Sequence, residues 1–431
     1  MPSRVAILNA WDCTGGAARA AHRLHTGLRA AGAESTMVVQ TKSGDDWSVV
    51  GPASKWQRKL ASLRGPLERL ALWRHRAGGT PLFSAAWLPD GIPARVAEIT
   101  PEIIHLHWIN AGFVRIESLR RLESPLIWTL HDMWPFTGGC HYTDNCHKFE
   151  KSCGACPALA SEHRGDLSHR VWLRKRAAWK DLDLTIVTPS RWLADEARKS
   201  SLFQDRRIEV IPNGLDLDRF QPVERHVARE ILGLPQSAHL ILFGAMDSTS
   251  DRRKGFHFLE PALGSLAEQT LSRPTELVVF GASEPENPSL PGLRTHYLGT
   301  LGDDVSLKLA YAAADVFVAP SLQDNLPNTV AESLACGTPV VAFDVGGLPE
   351  MIDHEKNGYL ARAFEPTDLA HGIAWSIADE SRSRDLRQTA RAKALQDYDL
   401  LTCAQRHLDL YEDVLSRAKT PSETTRAVST P

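Results

Sequence analysis

The feature that most restricts the fold of this chain is a rhythm. Short, continuous apolar runs alternate with stretches of helical spacing, and the pattern occurs in two series. Val5-Ala6-Ile7-Leu8-Asn9 reads as a strand and Thr14-Gly15-Gly16-Ala17 as a small-residue loop. A helix with Ala21, Leu24, Leu28 and Ala31 on one face follows, stopped by Gly32. Further strands are expected at 35–39, 103–106, 126–130 and 184–187. A second series, after Pro222, has strands at 240–244, 276–281, 315–319 and 339–343. A strand that is apolar along its whole length is buried on both faces, and helices between such strands make the crossovers of a parallel sheet. The chain therefore reads as α/β, with two parallel-sheet domains. Turn residues cluster from Asn213 to Pro222, which sets the expected domains at 1–220 and 221–399. Residues 420–431 are rich in Ser, Thr and Pro without apolar periodicity and are expected to form a disordered tail.

Composition narrows the class. The 431 residues exceed what one hydrophobic core organises, in agreement with two domains. Lys and Arg number 49 against 52 Asp and Glu, a net charge of -3, so no global attraction to nucleic acid exists and no nucleic-acid partner is expected. No apolar run approaches the roughly 18 residues of a spanning helix. The beginning, Met1-Pro2-Ser3-Arg4-Val5, lacks the pattern of a signal peptide, and the cysteines, seven in all, are few and odd in number. A cytoplasmic location is expected.

Pro320 to Pro339 carries the most chemistry. A strand leads into a loop, Pro327 turns the chain, and a helix is expected from Asn328 to Gly337, which puts the amides of Asn328, Thr329 and Val330 at a helix N-terminus. Unpaired N–H groups and the helix dipole make such an end suited to anions. Glu332 lies one turn inside and Asp324 in the loop before it. Ionised carboxylates only accept hydrogen bonds, so they suit the hydroxyls of a sugar or ribose. For an isolated acidic pair at this spacing, a loop residue and a solvated charge are the ordinary explanation.

The run as a whole resembles the donor-binding signature of retaining glycosyltransferases of family 4, with Asp324 where the first of two glutamates usually stands. Val345-Gly346-Gly347-Leu348-Pro349-Glu350, Val210-Ile211-Pro212-Asn213-Gly214-Leu215-Asp216 and Arg253-Lys254-Gly255 resemble further motifs of that family. The resemblance implies a GT-B fold, two Rossmann-like domains facing each other across a cleft. It also implies that a C-terminal helix, 400–419, packs back on the first domain. The activity implied is transfer of a sugar, a hexose by family type, from a nucleotide diphosphate sugar to an acceptor with retention of configuration. Lys254 and Arg253 would neutralise the departing diphosphate, so no catalytic metal is expected. The diphosphate would also meet the Asn328, Thr329 and Val330 amides. Glu332 would hold the ribose, and Asp324 and His131, after the strand ending Thr129-Leu130, would meet the sugar. Gly15 and Gly16 match the family's first glycine loop. A glycan or polyprenyl-linked acceptor of envelope polysaccharide or lipopolysaccharide assembly is expected by the same analogy. A nucleotide-sugar epimerase of this fold and a non-catalytic sugar-nucleotide-binding protein are the rival readings.

Two local features lie outside that pattern. Cys140-x5-Cys146-x6-Cys153-x2-Cys156 could hold a structural zinc or stand as four free thiols. Lys55 to Arg76 holds seven basic residues against the single acid Glu68, interleaved with Trp56, Leu60, Leu63, Leu67, Leu70 and Trp73. That suits either a peripheral contact with the anionic inner face of the cytoplasmic membrane or a packed helix with a charged outer face. Arg164 to Lys180, with Trp172 and Trp179, poses the same choice.

Overall fold

The structure is a computed structural model that describes residues 4–75, 82–244, 251–269, 271–284 and 293–419. The expected disordered tail at 420–431 and Arg76 of the first basic stretch lie outside the described residues. The chain divides into two compact units, one of Met1–Pro189, Leu193–Ile211 and Leu401–Pro431, the other of Ser190–Trp192 and Pro212–Leu400.

The first unit is built on β1 (Arg4–Trp11), β2 (Glu34–Thr41), β3 (Val49–Val50), β4 (Ile103–Leu106), β5 (Leu126–Thr129), β6 (Leu184–Thr188) and β7 (Ile208–Val210). They form one sheet in the order β3-β2-β1-β4-β5-β6-β7, every pair parallel. Val5, Ile7, Ile103, Ile127 and Val187 point to one face and pack with Leu24 and Leu28 of the helix Gly16–Ala30. The C-terminal helix Leu400–Lys419 completes that face with Leu408, Tyr411 and Val414. The Tyr411 hydroxyl lies 2.6 Å from His105 Nδ1, and His105 Nε2 lies 2.8 Å from Thr129 Oγ1, so a polar chain ties this helix to β4 and β5.

The second unit carries β8 (His239–Gly244), β9 (Thr275–Phe280), β10 (Thr295–Tyr297), β11 (Val316–Ala319), β12 (Val340–Phe343) and β13 (Gly358–Ala361), parallel in the order β10-β9-β8-β11-β12-β13. Leu240, Leu242, Val278, Phe280 and Phe317 enter one core, while Ile241, Phe243, Leu277, Val279 and Val318 enter another on the opposite face. Strand side chains alternate with a period of two, so runs apolar at every position are what two covered faces require.

The division falls at 211/212, where the sequence reading set it after 220. Leu215, Leu217 and Phe220 are buried in the second unit's core, and Arg391 donates to the Leu217 carbonyl at 3.1 Å and to that of Phe220 at 2.7 Å. Each such side chain contributes about 1.5–3 kcal/mol on burial, which outweighs the turn character of the segment.

The two basic stretches part company. Helix Leu167–Trp179 buries Trp172, Trp179 and Lys175, so it packs like any amphipathic helix. Helix Lys55–Glu68 and the turn Arg69–His75 instead leave Trp56 74% and Trp73 65% exposed, with Leu60, Leu63, Leu67 and Leu70 outward as well. Glu68 is the buried residue of that helix; its carboxylate accepts the Ala86 N–H, and Arg64 donates to the Gly112 and Pro89 carbonyls at 2.6 Å. No described helix is long and apolar enough to cross a membrane.

Candidate active site

In an open parallel sheet, ligands settle beyond the carboxyl ends of the strands where the strand order reverses. In the second unit that point lies between β8 and β11. The loops leaving these two strands meet through glycines. Gly255 has φ +75°, and a Cβ there would stand 1.7 Å from the Pro320 carbonyl oxygen. A Cβ on Gly346 would stand 2.2 Å from the Asp324 carbonyl oxygen. Backbone bonds from Leu322 N to Arg253 O, 2.8 Å, and from Gly347 N to Asp324 O, 3.0 Å, lock the three loops together.

This packing sets Lys254 Nζ 2.8 Å from Asp324 Oδ2. Burial pushes the Asp324 carboxyl up, but the Lys254 ammonium and the Arg253 charge beyond it more than offset this and hold it below the ordinary carboxylate range. Arg253 is itself bonded to Asp251, Nη2 to Oδ2 at 2.6 Å, and Asp251 caps the short turn Arg252–Lys254. The helix Asn328–Ala335 begins at Pro327. Asn328 and Thr329 are partly exposed there, whereas the Val330 N–H donates to Pro327 O at 3.0 Å and its side chain is core. Of the three amides named from sequence, that of Val330 is thus already engaged within the first turn. Glu332 is only 2% exposed and accepts a hydrogen bond from the Tyr311 hydroxyl at 3.0 Å.

The first unit's reversal lies between β1 and β4. After β1, the Asp12 carboxylate accepts N–H groups from Cys13 at 3.0 Å and from Ser43 and Gly44 at 2.7 Å, fastening the β1 and β2 loops together. Burial raises its pKa, and these donors bring it below the usual value. Gly15, at φ 94°, turns the chain into the helix that Gly16 begins. His107, just past β4, has Nδ1 2.9 Å from Nε2 of His131, just past β5, with the rings stacked 5.2 Å apart. Burial pushes His131 down to about 4 against the opposing pull of Asp132, and pushes His107 well below the ordinary imidazole value too, so both rings are neutral near pH 7. Asp132 is the fixed point beneath them: its Oδ2 takes Trp108 Nε1 at 2.9 Å and His141 Nδ1 at 2.7 Å, and its Oδ1 the Trp134 N–H at 2.9 Å.

Cys140, Cys146, Cys153 and Cys156 line one small cavity of this unit. Among the described residues, no three His, Cys, Asp or Glu side chains are closed tightly enough to hold a metal ion as they stand.

Sequence reasoning overlooked His107, Asp12 and Tyr311. The signal for His107 is the pair of histidines in Ile103-Ile104-His105-Leu106-His107, one at the strand's last turn and one beyond it. Tyr311 sits in a plain helical repeat and carries no local mark.

Two parallel-sheet units, each with loops meeting at its order reversal, are the architecture of the GT-B class of glycosyltransferases. Residues 14–219 match the family described as Glycosyltransferase Family 4, and residues 237–379 match that described as Glycosyl transferases group 1. The chain belongs to the group 1, family 4 glycosyltransferases and is a glycosyl-transferring enzyme. It is 29% identical over 333 residues, 73% of each chain, to a D-inositol 3-phosphate glycosyltransferase of Xylanimonas cellulosilytica. It is 28% identical to the putative colanic acid biosynthesis glycosyl transferase WcaC of Escherichia coli K12, across 60% of this chain and 63% of that protein. HepE of Anabaena, solved in complex with UDP-glucose, shares the fold with a TM-score of 0.63 at 17% identity, covering 95% of this chain and 99% of its own.

Proposed function

We propose that the enzyme moves a hexosyl group from a nucleoside diphosphate sugar to a glycan or polyprenyl-linked acceptor, with retention of anomeric configuration, in the assembly of an envelope polysaccharide. The observation that carries this reading is the Lys254–Asp324 pair at the β8/β11 reversal, 2.8 Å apart beside a helix N-terminus. It joins a cation suited to a diphosphate and a carboxylate suited to sugar hydroxyls at the one place in the sheet made for a ligand. The relative named for colanic acid biosynthesis supports the polysaccharide role, and the neighbour solved with UDP-glucose supports the donor class.

In this reading Lys254, with Arg253 behind it, takes up charge as the bond from the sugar to the diphosphate breaks, which lowers the barrier because that charge grows in the transition state. The acceptor oxygen bonds to the same face of the anomeric carbon, and its proton leaves on the departing phosphate oxygen. Glu332 holds the ribose and Asp324 the sugar; the Asn328 and Thr329 amides meet the diphosphate. His131, neutral and held by His107, offers the sugar a hydrogen bond rather than a charge. Gly15 lets the first unit's backbone approach a ligand closely. The exposed basic and aromatic face of Lys55–Glu68 rests reversibly on anionic lipid, bringing the enzyme to a lipid-linked acceptor at the inner surface of the cytoplasmic membrane.

Mass spectrometry of products over a panel of nucleotide sugars and lipid-linked acceptors tests the reaction, and proton NMR of the new linkage tests retention. An inverted anomer sinks the same-face mechanism. A changed sugar nucleotide with no acceptor product sinks the transfer.

A further inference from the structure

Between β5 and the helix Leu167–Trp179 the chain runs through residues 130–166 with only three short turns of helix, Trp134–Phe136, Lys148–Glu150 and Pro157–Leu159. A segment this long without regular structure needs another source of rigidity. The four clustered cysteines all come from it, and all four line a cavity of about 10 Å³, enough for a single small occupant. The backbone is closed tightly around them: a Cβ on Gly138 would stand 2.5 Å from the Ser168 carbonyl oxygen, and one on Gly154 2.2 Å from that of Arg164. The Gly138 N–H points at Cys153 Sγ, 3.1 Å away. Backbone N–H groups aimed at sulfur favour thiolate over thiol.

Lys175 supplies an independent observation. Its side chain is fully buried, its ammonium donates to the carbonyls of Trp134 and Thr137, the latter at 3.1 Å, and it lies 3.7 Å from the centre of the Trp134 ring. Cys153, Cys140 and Asp132 are the groups whose negative charge would bear on it. Asp132 gives this ammonium one counter-charge, and thiolates in place of thiols would add to it.

We propose that Cys140, Cys146, Cys153 and Cys156 form a structural zinc site whose tetrathiolate charge is balanced by the buried ammonium of Lys175. Binding replaces four S–H protons with one Zn²⁺, so four protons leave to solvent and the site carries two negative charges beside one positive. All four cysteines line the cavity, but as they stand they do not form a metal-holding group, so the sulfurs must draw in to about 2.3 Å from the metal. The intervening histidines are otherwise employed, His141 on Asp132 at 2.7 Å and His147 on Glu150 at 3.2 Å, so the ligand set is sulfur alone and closed to substrate.

Elemental analysis of the full-length protein, purified from zinc-supplemented cells without chelator, is expected to find about one zinc per chain. The four thiols should resist alkylation until the metal is stripped. Cys153→Ser and Cys156→Ser should each lose most of that zinc. Should they fail to fold, cobalt loaded into the wild type is read instead, and is expected to give the thiolate charge-transfer and intense visible bands of a tetrahedral sulfur site. Lys175→Met should lose zinc to a competing chelator about tenfold more readily, one unit of log affinity for an uncompensated charge. Metal-free wild type, whether with four alkylatable thiols or with disulfides, overturns the site, as does an octahedral cobalt spectrum. Zinc retention unchanged in Lys175→Met overturns the charge pairing.

Discussion

Lys254 and Asp324 lie 70 residues apart in the chain, yet their pairing decides the charge of the donor loops. Replacing Asp324 with Asn removes a charge-assisted bond of about 1.5–3 kcal/mol and leaves the ammonium without its partner. Sugar transfer should fall by at least tenfold while the protein stays folded, checked by initial rates beside circular dichroism. Because the Asp324 pKa is depressed, the stability of this pair is fully present above the unfolded value of about 3.8 and is lost only as pH falls below it. Any loss of function between pH 4 and 6.5 must come from elsewhere. Glu332→Gln keeps the Tyr311 bond in shape and removes the charge; nucleotide diphosphate affinity in calorimetric titration is expected to drop by about 1.5–3 kcal/mol. Both acids were legible from one motif. His107 was not, because its partner stands on the neighbouring strand and only the register of β4 on β5, Leu106 opposite Trp128, brings the rings together.

At the scale of elements, the alternating apolar runs were enough to mark most of the strands, since burial on both faces writes itself into every position of a run. Boundaries were harder. Residues 212–220 look like a linker, and their membership in a core depends on Arg391, far along the chain. Helical spacing likewise revealed the apolar stripe of Lys55–Glu68 but not that it faces outward, whereas the stripe of Leu167–Trp179 faces in. Two tests belong here. Gly255→Ala forces a Cβ against the Pro320 carbonyl oxygen at a φ of +75°, so it should unseat the Lys254 loop, abolish transfer and lower the second unit's melting temperature. Arg58→Glu with Lys59→Glu should reduce sedimentation with anionic vesicles at low salt, and transfer to a short soluble acceptor should be unchanged. Equal sedimentation by both proteins would deny the helix a lipid role.

Across the whole molecule, acid should act unevenly. The first unit holds His25, His131 and His407, whose pKa values desolvation pushes down to about 4, together with His105 and His107, pushed well below the ordinary imidazole value. Each is neutral when folded and titrates near 6.5 when unfolded, so each contributes stability that is present above about 6.5 and lost as pH falls toward 4, by up to about 1.4 kcal/mol per pH unit. Calorimetric melts should therefore show the first unit's transition moving down between pH 7 and 5. An unmoved transition would mean these rings carry protons in the folded state. The helix Leu400–Lys419 bears on a different property, the order in which the chain can mature on a ribosome. β1 is made first, but the face of its sheet stays open until Leu408, Tyr411 and Val414 have been synthesised, some four hundred residues later. The second unit, nearly continuous in sequence, has all its strands by then. The half that starts first is thus the half that finishes last, and a stalled or shortened chain would leave the cell holding an unclosed N-terminal sheet beside a complete second unit, a product suited to proteolytic disposal rather than to partial activity.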